Sequence, residues 1–292
     1  MMQVKDLSTV HELISDMFRW PKKKAEWEQY KLTQEQIDFF NENGYLGGVK
    51  MLDEIQVEKL RNELIELTDQ HHPGNSLFYE FHSNESADSE SILFHSLGAW
   101  RITPAFHDVL WNPRFVMAAS QLLGNSPVRF WHDQLFYKPA KKGGVVAWHQ
   151  DYSYWTRTKP VAHLTCWCGL DDSTIENGCL QYVPGSFRWG LLEKPELAGN
   201  LMGIMDYLTP EQQAQFHPVP VETREGEAIF HHPLTLHGSG ENKSARPRRA
   251  FVINVFADGV YSDSNESLLN GVPPIVKGEK MQGQFFPLLF EG

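Results

Sequence analysis

The first third of the chain carries apolar residues at helical spacing. Leu7, Val10, Leu13, Ile14 and Met17 recur every three to four positions and predict a helix over 6–18, broken by Trp20-Pro21. Thr33 with Gln36 has the form of a capping box ahead of Ile37, Phe39 and Phe40, and Asn43-Gly44 ends that helix. Ile55, Val57, Leu60, Leu64 and Leu67 predict a further amphipathic helix over 53–69. Residues 73–99 are rich in Ser, Asn, Glu and Phe without a period, and read as a loop. One or two helices follow over 104–123, including 113–123, stopped by Gly124-Asn125.

From Val128 the period changes. Short β-rich segments appear at 128–138, 145–151, 162–170, 179–183, 227–231, 235–238 and 249–257. Turn formers separate them, among them Lys142-Gly143-Gly144, Glu176-Asn177-Gly178, Pro184-Gly185 and Arg224-Glu225-Gly226. Many short strands at this spacing predict an antiparallel sandwich or barrel. A double-stranded β-helix (jelly roll) is the variant that gathers residues from distant strands at one mouth. The fold class expected is therefore mainly β with flanking helices, on a jelly-roll core. One domain is expected over 1–292: a mostly helical part (1–125), the jelly-roll core (126–257) and a tail (258–292). An insertion at 190–225, with Thr209-Pro210 starting a short helix, has the length of a lid.

Composition narrows the class. Hydrophobic residues make up 41% and charged residues 22%, as in an ordinary globular enzyme. The formal charge of -11 argues against nucleic acid, whose phosphates call for Lys/Arg clusters, and gives no attraction to anionic membranes. No apolar run reaches signal-peptide or membrane-spanning length. Three cysteines do not make a disulfide framework, so Cys166, Cys168 and Cys179 are expected as buried thiols in a reducing cytoplasm.

The candidate chemistry begins at Trp148-His149-Gln150-Asp151. Side chains two apart on a strand share a face, so His149 and Asp151 are expected to emerge together. One more imidazole would complete a two-His, one-carboxylate set suited to non-haem Fe(II) with open positions. His231, His232 and His237 all compete for that place. An arginine beyond them would suit a dicarboxylate, and Arg246, Arg248 and Arg249 are all near enough in sequence. Parity from Phe251 to Val255 sets Arg249 on the opposite face.

Several segments, in order, resemble the phytanoyl-CoA dioxygenase family of Fe(II)/2-oxoglutarate oxygenases. They are Phe136-Tyr137-Lys138-Pro139, the His149–Asp151 motif, Trp167 in Thr165-Cys166-Trp167-Cys168-Gly169-Leu170-Asp171-Asp172, and Glu176-Asn177-Gly178-Cys179-Leu180-Gln181-Tyr182-Val183-Pro184-Gly185-Ser186. Last comes His237-Gly238-Ser239-Gly240 with Asn242, Ser244 and Arg248. The resemblance covers roughly residues 130 to 256, and the Asn-Gly-x-Leu-x-x-x-Pro-Gly-Ser run is its most specific part. Where the family usually has His after that Gly-Ser, this chain has Phe187.

The resemblance implies that His149, Asp151 and His237 are the metal and catalytic residues. It selects His237 by its spacing to Arg248, which would hold the distal carboxylate of 2-oxoglutarate. Ser239 would add a hydroxyl there, Trp167 would wall the co-substrate pocket, and Gln134 would contact the co-substrate. The implied reaction takes Fe(II), 2-oxoglutarate and O₂, and hydroxylates a small organic molecule with release of succinate and CO₂. Tyr152, Tyr154 and Phe187 are expected to line the substrate pocket. Lys138, Lys141, Lys142, Arg157 and Lys159 form a local basic excess, read as a rim or as a grip on an anion. Desaturation, ring closure and a non-catalytic jelly-roll binding module stand as alternatives; Asp151 speaks against halogenation, which needs a small residue there.

Overall fold

A computed structural model describes residues 4–292. The helices are α1 (Gln34–Asn43), α2 (Glu54–Leu67), α3 (Pro104–Asp108), α4 (Pro113–Leu122) and α5 (Pro210–Ala214). The strands through the metal motif are β1 (Tyr45–Lys50), β2 (Glu80–His82), β3 (Phe94–Leu97), β4 (Val128–Lys138), β5 (Val146–His149), β6 (Thr158–Lys159) and β7 (His163–Gly169). Those after it are β8 (Leu180–Tyr182), β9 (Val219–Pro220), β10 (Glu227–His231), β11 (His237–Ser239), β12 (Arg248–Ala257), β13 (Tyr261–Ser262) and β14 (Leu288–Phe290).

Two antiparallel sheets result. The major sheet runs β1-β10-β7-β12-β4-β3-β2, with β14 added on β4, and the minor sheet runs β5-β11-β8-β9. Together they make the open jelly roll expected for the β-rich half, flanked by the N-terminal helices. The capping boxes of α1 and α2 close as the sequence requires: Thr33 and Asp53 accept from the backbone of Gln36 and Gln56, whose side chains accept in return. Gly44 ends α1 in the left-handed region at φ 80°. Val57, Leu60, Leu64 and Leu67 of α2 are buried in one continuous core with Phe115 and Val116 of α4 and Phe130 and Phe251 of the major sheet.

The N-terminal expectation over 6–18 fails. Only Leu7–Thr9 forms a single 3-10 turn. The backbone amides of Ile14 and Ser15 donate to the buried carboxylate of Asp108 (2.9 and 2.8 Å), so tertiary partners replace the i−4 carbonyls of a helix. The segment 73–99 is also more than a loop. It supplies β2 and β3, which widen the major sheet beside β4. All four residues of β3 are buried, so the strand offers no polar/apolar alternation to read. The tail 258–292 is not peripheral either: β14 pairs with β4, and Phe286 and Leu289 enter the core.

One property of β4 positions the site. His132, Gln134, Phe136 and Lys138 lie two apart and share its inner face. Across the register, Lys138 sits opposite Arg248, Gln134 opposite Val252 (itself opposite Trp167), and His132 opposite Asn254 (itself opposite Thr165). These rows face the minor sheet across a cavity of about 400 Å³.

Candidate metal and co-substrate site

The three proposed ligands converge from three local structures. His149 ends β5, and His237 opens β11 directly opposite it in the ladder, with ring centroids 4.3 Å apart. β5 ends sooner than expected. Gln150 stays extended, and Asp151 begins a 3-10 turn (Asp151–Tyr154), so the two-residue parity survives although the strand does not. Asp151 Oδ1 lies 3.5 Å from His149 Nε2 and 3.7 Å from His237 Nε2, and the three ligand atoms fall within 4.8 Å of one another. Ligand bonds near 2 Å put neighbouring donors on one ion about 3 Å apart, so the three atoms are already grouped around one point and would draw together on an ion.

The atoms around the triad prepare it for a cation. Nδ1–H of His149 donates to Ala147 O (2.7 Å) and Nδ1–H of His237 to Thr235 O (2.9 Å). Each bond fixes the tautomer that leaves an Nε2 lone pair directed at the centre. Asp151 Oδ2 accepts from the Thr165 hydroxyl (2.5 Å) and from His231 Nε2–H (2.9 Å), leaving Oδ1 for a metal. His231 Nδ1 in turn accepts from Tyr182 O–H at 3.0 Å, and the Tyr182 ring stacks on Tyr45. Burial alone would raise the Asp151 carboxyl; the neighbouring His237 and the hydrogen bond from His231 outweigh it and hold the group well below the usual carboxylate range. Burial and the neighbouring His149 and His231 push His237 well below the usual imidazole range, so its ring stays uncharged. The donor set, its fixed tautomers and its ionisation all fit Fe(II).

Rival histidines fall into other roles. His231 spends its Nε2–H on Asp151, and His232 packs its ring against Phe187 at 5.0 Å. The arginines separate as parity requires. Arg249 points away and holds Asp171 through two bonds (2.8 and 2.7 Å), and Arg246 is exposed.

Arg248 is fully buried, with its guanidinium 5.5 Å from the Trp167 ring. Its Nη1 donates to Gly178 O (2.5 Å) and Ser239 Oγ (3.2 Å), while Nε has no partner and Nη2 makes no bond among the described residues. Lys138, also fully buried, donates to Ser239 Oγ and Gly240 O, both at 2.6 Å. Among the described residues neither cation pairs with a carboxylate. Burial draws the Arg248 guanidinium down to about 10, and burial with the Arg248 charge draws Lys138 well below the lysine range. A buried guanidinium with spare donors and no counter-ion, next to a second buried cation, makes a receptor for an anion. Gly178 explains the specificity of its motif: at φ 78° and against Gly240 O, it has no room for a Cβ.

Lys138 was read from sequence as part of a rim or of a grip on an anion. Its parity with Gln134 and its register with Arg248 place it inside instead. Gln134 lines the cavity, with Oε1 3.1 Å from His95 Nε2; His95 Nδ1 is held by Glu85 at 2.6 Å. Ser239 and Trp167 also line it.

The three aromatics expected around a substrate do not lie together. Tyr154 lines the cavity, and its hydroxyl donates to Pro195 O at 2.8 Å. Tyr152 lies outside it, with its hydroxyl on Thr158 O and its ring against His163. Phe187 also lies outside, between His232 and Arg188, because the turn after Gly185 carries it toward α1. Trp131 and Trp155 line the wall that Tyr152 and Phe187 were expected to form. Of the insertion 190–225, the stretch through Leu197 covers the cavity, and Ala147 and Trp148 of β5 donate to Leu197 O and Leu201 O. Leu268 and Leu269 of the tail and Glu80 and Leu97 of the N-terminal strands complete the lining. No motif marked these residues; their sequence distance from the triad hid them.

A family model described as phytanoyl-CoA dioxygenase (PhyH) matches residues 40–250. A phytanoyl-CoA dioxygenase of Arabidopsis thaliana is 29% identical over 77% of this chain and 88% of its own length. A methylphosphonate hydroxylase of Gimesia maris is 27% identical over 81% of this chain and 88% of its own length. Among solved structures, a non-haem 2-oxoglutarate-dependent carbocyclase from nogalamycin biosynthesis superposes with a TM-score of 0.71 at 22% identity, covering 88% of this chain and 96% of that one. An epimerase of the same biosynthesis, solved with Fe³⁺ and 2-oxoglutarate, superposes with a TM-score of 0.72 at 22% identity, covering 91% and 100%. At this identity the likeness to the two structures shows the fold.

Proposed function

Because this chain belongs to the phytanoyl-CoA dioxygenase family, and so is a non-haem Fe(II)- and 2-oxoglutarate-dependent dioxygenase, we propose that His149, Asp151 and His237 hold its iron and that Arg248 and Lys138 hold its co-substrate. One observation carries the assignment. A tautomer-fixed His/Asp/His set and the unneutralised, buried Arg248 open onto the same cavity, with Lys138 bonded to Ser239 of its wall. When bound, the iron with 2-oxoglutarate activates O₂ to oxidise a C–H bond of the substrate, releasing succinate and CO₂.

The chain's own residues bind, orient and exclude water. Arg248 presents Nη2 and Nε to the distal carboxylate, and Lys138 adds its charge through Ser239, whose hydroxyl both cations contact. Trp167 forms the wall beside that carboxylate, and Gln134, steadied by His95, faces the co-substrate from β4. Tyr154 anchors the cover at Pro195. The substrate is a small organic molecule, hydroxylated against Tyr154, Trp131 and Trp155. A cavity of about 400 Å³ supports this, as does a formal charge of -11, which favours no polyanion. One core running from Phe18 to Leu289 supports a single oxygenase domain. Three free, buried cysteines support a reducing compartment such as the cytoplasm. No helix among the described residues is long and apolar enough to cross a membrane.

The test is anaerobic titration of the protein with Fe(II) and then 2-oxoglutarate, followed by succinate formation on admitting O₂. One metal per chain and 2-oxoglutarate-dependent succinate are expected, and both should vanish in His237→Ala. Metal binding that survives this change would refute the ligand assignment.

A further inference from the structure

We propose that His132 selects the substrate: a buried imidazole N–H donor in a largely apolar wall, which fixes a neutral acceptor oxygen on an otherwise apolar molecule. This deepens the function proposed above and rests on it. The inner face of β4 is graded along its length. Lys138 lies at the distal-carboxylate end, Gln134 two rows on, and His132 two residues further, in the row that contains Thr165, the hydrogen-bond donor to Asp151.

His132 is 2% exposed and lines the cavity. Its Nδ1 is engaged by the side-chain amide of Asn254, directly opposite in the ladder, at 3.3 Å. An amide N–H donating to Nδ1 leaves the ring proton on Nε2. Nε2 has no partner among the described residues, so it remains for a ligand. The wall beside it is largely apolar: the His132 ring lies edge-on to Trp131 (5.3 Å) and Trp155 (5.5 Å), Leu268 and Leu269 continue the lining, and the Thr165 hydroxyl is spent on Asp151. Burial draws the His132 imidazole down to about 4, which keeps it uncharged at neutral pH.

The chemistry of the ligand follows. A carboxylate or phosphate at this point would lose its hydration to one neutral donor while lying in the row next to the metal-binding Asp151, which is unfavourable. A carbonyl or ether oxygen loses little and gains the bond. The rest of the molecule would pack on Trp131, Trp155, Leu268 and Leu269. A donor fixed in the cavity wall would also decide which carbon of the substrate is presented.

A matched pair of probes tests this without knowing the natural substrate. Calorimetric titration of 4-phenyl-2-butanone and of butylbenzene, into both metal-free and Fe(II)/2-oxoglutarate-loaded protein without O₂, measures what the carbonyl oxygen adds. The ketone is expected to bind about tenfold more tightly than the hydrocarbon. His132→Phe should abolish that ratio, and His132→Gln, which keeps an N–H donor, should retain most of it. Asn254→Asp leaves the cavity wall intact but accepts a proton from Nδ1, turning a lone pair toward the ligand, and should also abolish the ratio. It serves in place of His132→Phe if that variant does not fold. No preference in the unmodified protein, no measurable ketone binding, or a ratio that survives both changes would overturn the proposal. Failure to bind Fe(II) or 2-oxoglutarate would instead overturn the assigned function, and the ratio on metal-free protein separates the two failures.

Discussion

Replacing Arg248 by Met removes the guanidinium while keeping a buried side chain of similar length. If Arg248 and Lys138 together receive the distal carboxylate, the variant loses the donors at Nη2 and Nε and keeps the lysine. Hydrogen bonds to charged groups contribute roughly 1.5–3 kcal/mol each, so with Lys138 partly compensating the loss should be about 3 kcal/mol, or roughly 150-fold in Kd. Stability should change little. Gly178 O loses its donor from Arg248, costing about 1 kcal/mol, while one uncompensated buried charge is relieved, a gain of similar size. The assay compares 2-oxoglutarate with 2-oxovalerate, which has the same chain length and a methyl group in place of the distal carboxylate. Each is titrated calorimetrically into Fe(II)-loaded protein under argon. The preference for 2-oxoglutarate should shrink by about two orders of magnitude in Arg248→Met and vanish when Lys138→Met is added. A preference within threefold of the unmodified protein would refute the reasoning, because no other buried cation borders Ser239 among the described residues.

Further expectations concern the same site. Asp151→Ala should abolish turnover, whereas His231→Phe should lower metal affinity 10- to 100-fold without abolishing it, as expected for a group that only orients the carboxylate; equilibrium dialysis against Fe(II) distinguishes the two. Tyr154→Phe frees the cover at Pro195 and should raise 2-oxoglutarate consumption relative to substrate oxidised, measured as the succinate-to-product ratio; an unchanged ratio would mean the cover closes by other contacts. Burial draws His132 and His163 down to about 4 and about 3 from 6.5, so their contribution is present above pH 6.5 and lost as pH falls toward 4. At about 1.4 kcal/mol per pH unit for each group, these two remove roughly 5 kcal/mol between pH 6.5 and 4.5; His232, drawn by burial to about 4, adds to the loss, and Asp133, raised by burial to about 7, offsets a similar amount, so metal-free protein should lose about 5 kcal/mol net. Urea unfolding at those two pH values checks this, and a flat profile would contradict it.

Much of this protein was determined by local sequence. Capping boxes at Thr33 and Asp53 act within one helical turn, so they form whatever the rest of the chain does. Strand parity placed Arg248 inside and Arg249 outside, because a period of two leaves no third choice. The His149–Asp151 spacing survived even where β5 stopped short, since the intervening Gln150 is extended. Tertiary structure decided the rest. Residues 6–18 carry a helical period, yet Asp108, some 93 positions away, takes their amides. β3 has no alternation because it is buried on both faces, and it becomes visible only once β4 is beside it. Lys138 turns from a rim lysine into a buried cation through its register with Arg248. Tyr152 and Phe187, adjacent in sequence to functional motifs, are carried away by the turns that follow those motifs, while Leu268 and Leu269 are brought in from more than a hundred residues beyond His149. Periodicity and capping depend on neighbours along the chain; a cavity wall depends on which distant segments the sheets bring face to face, and no local pattern records that.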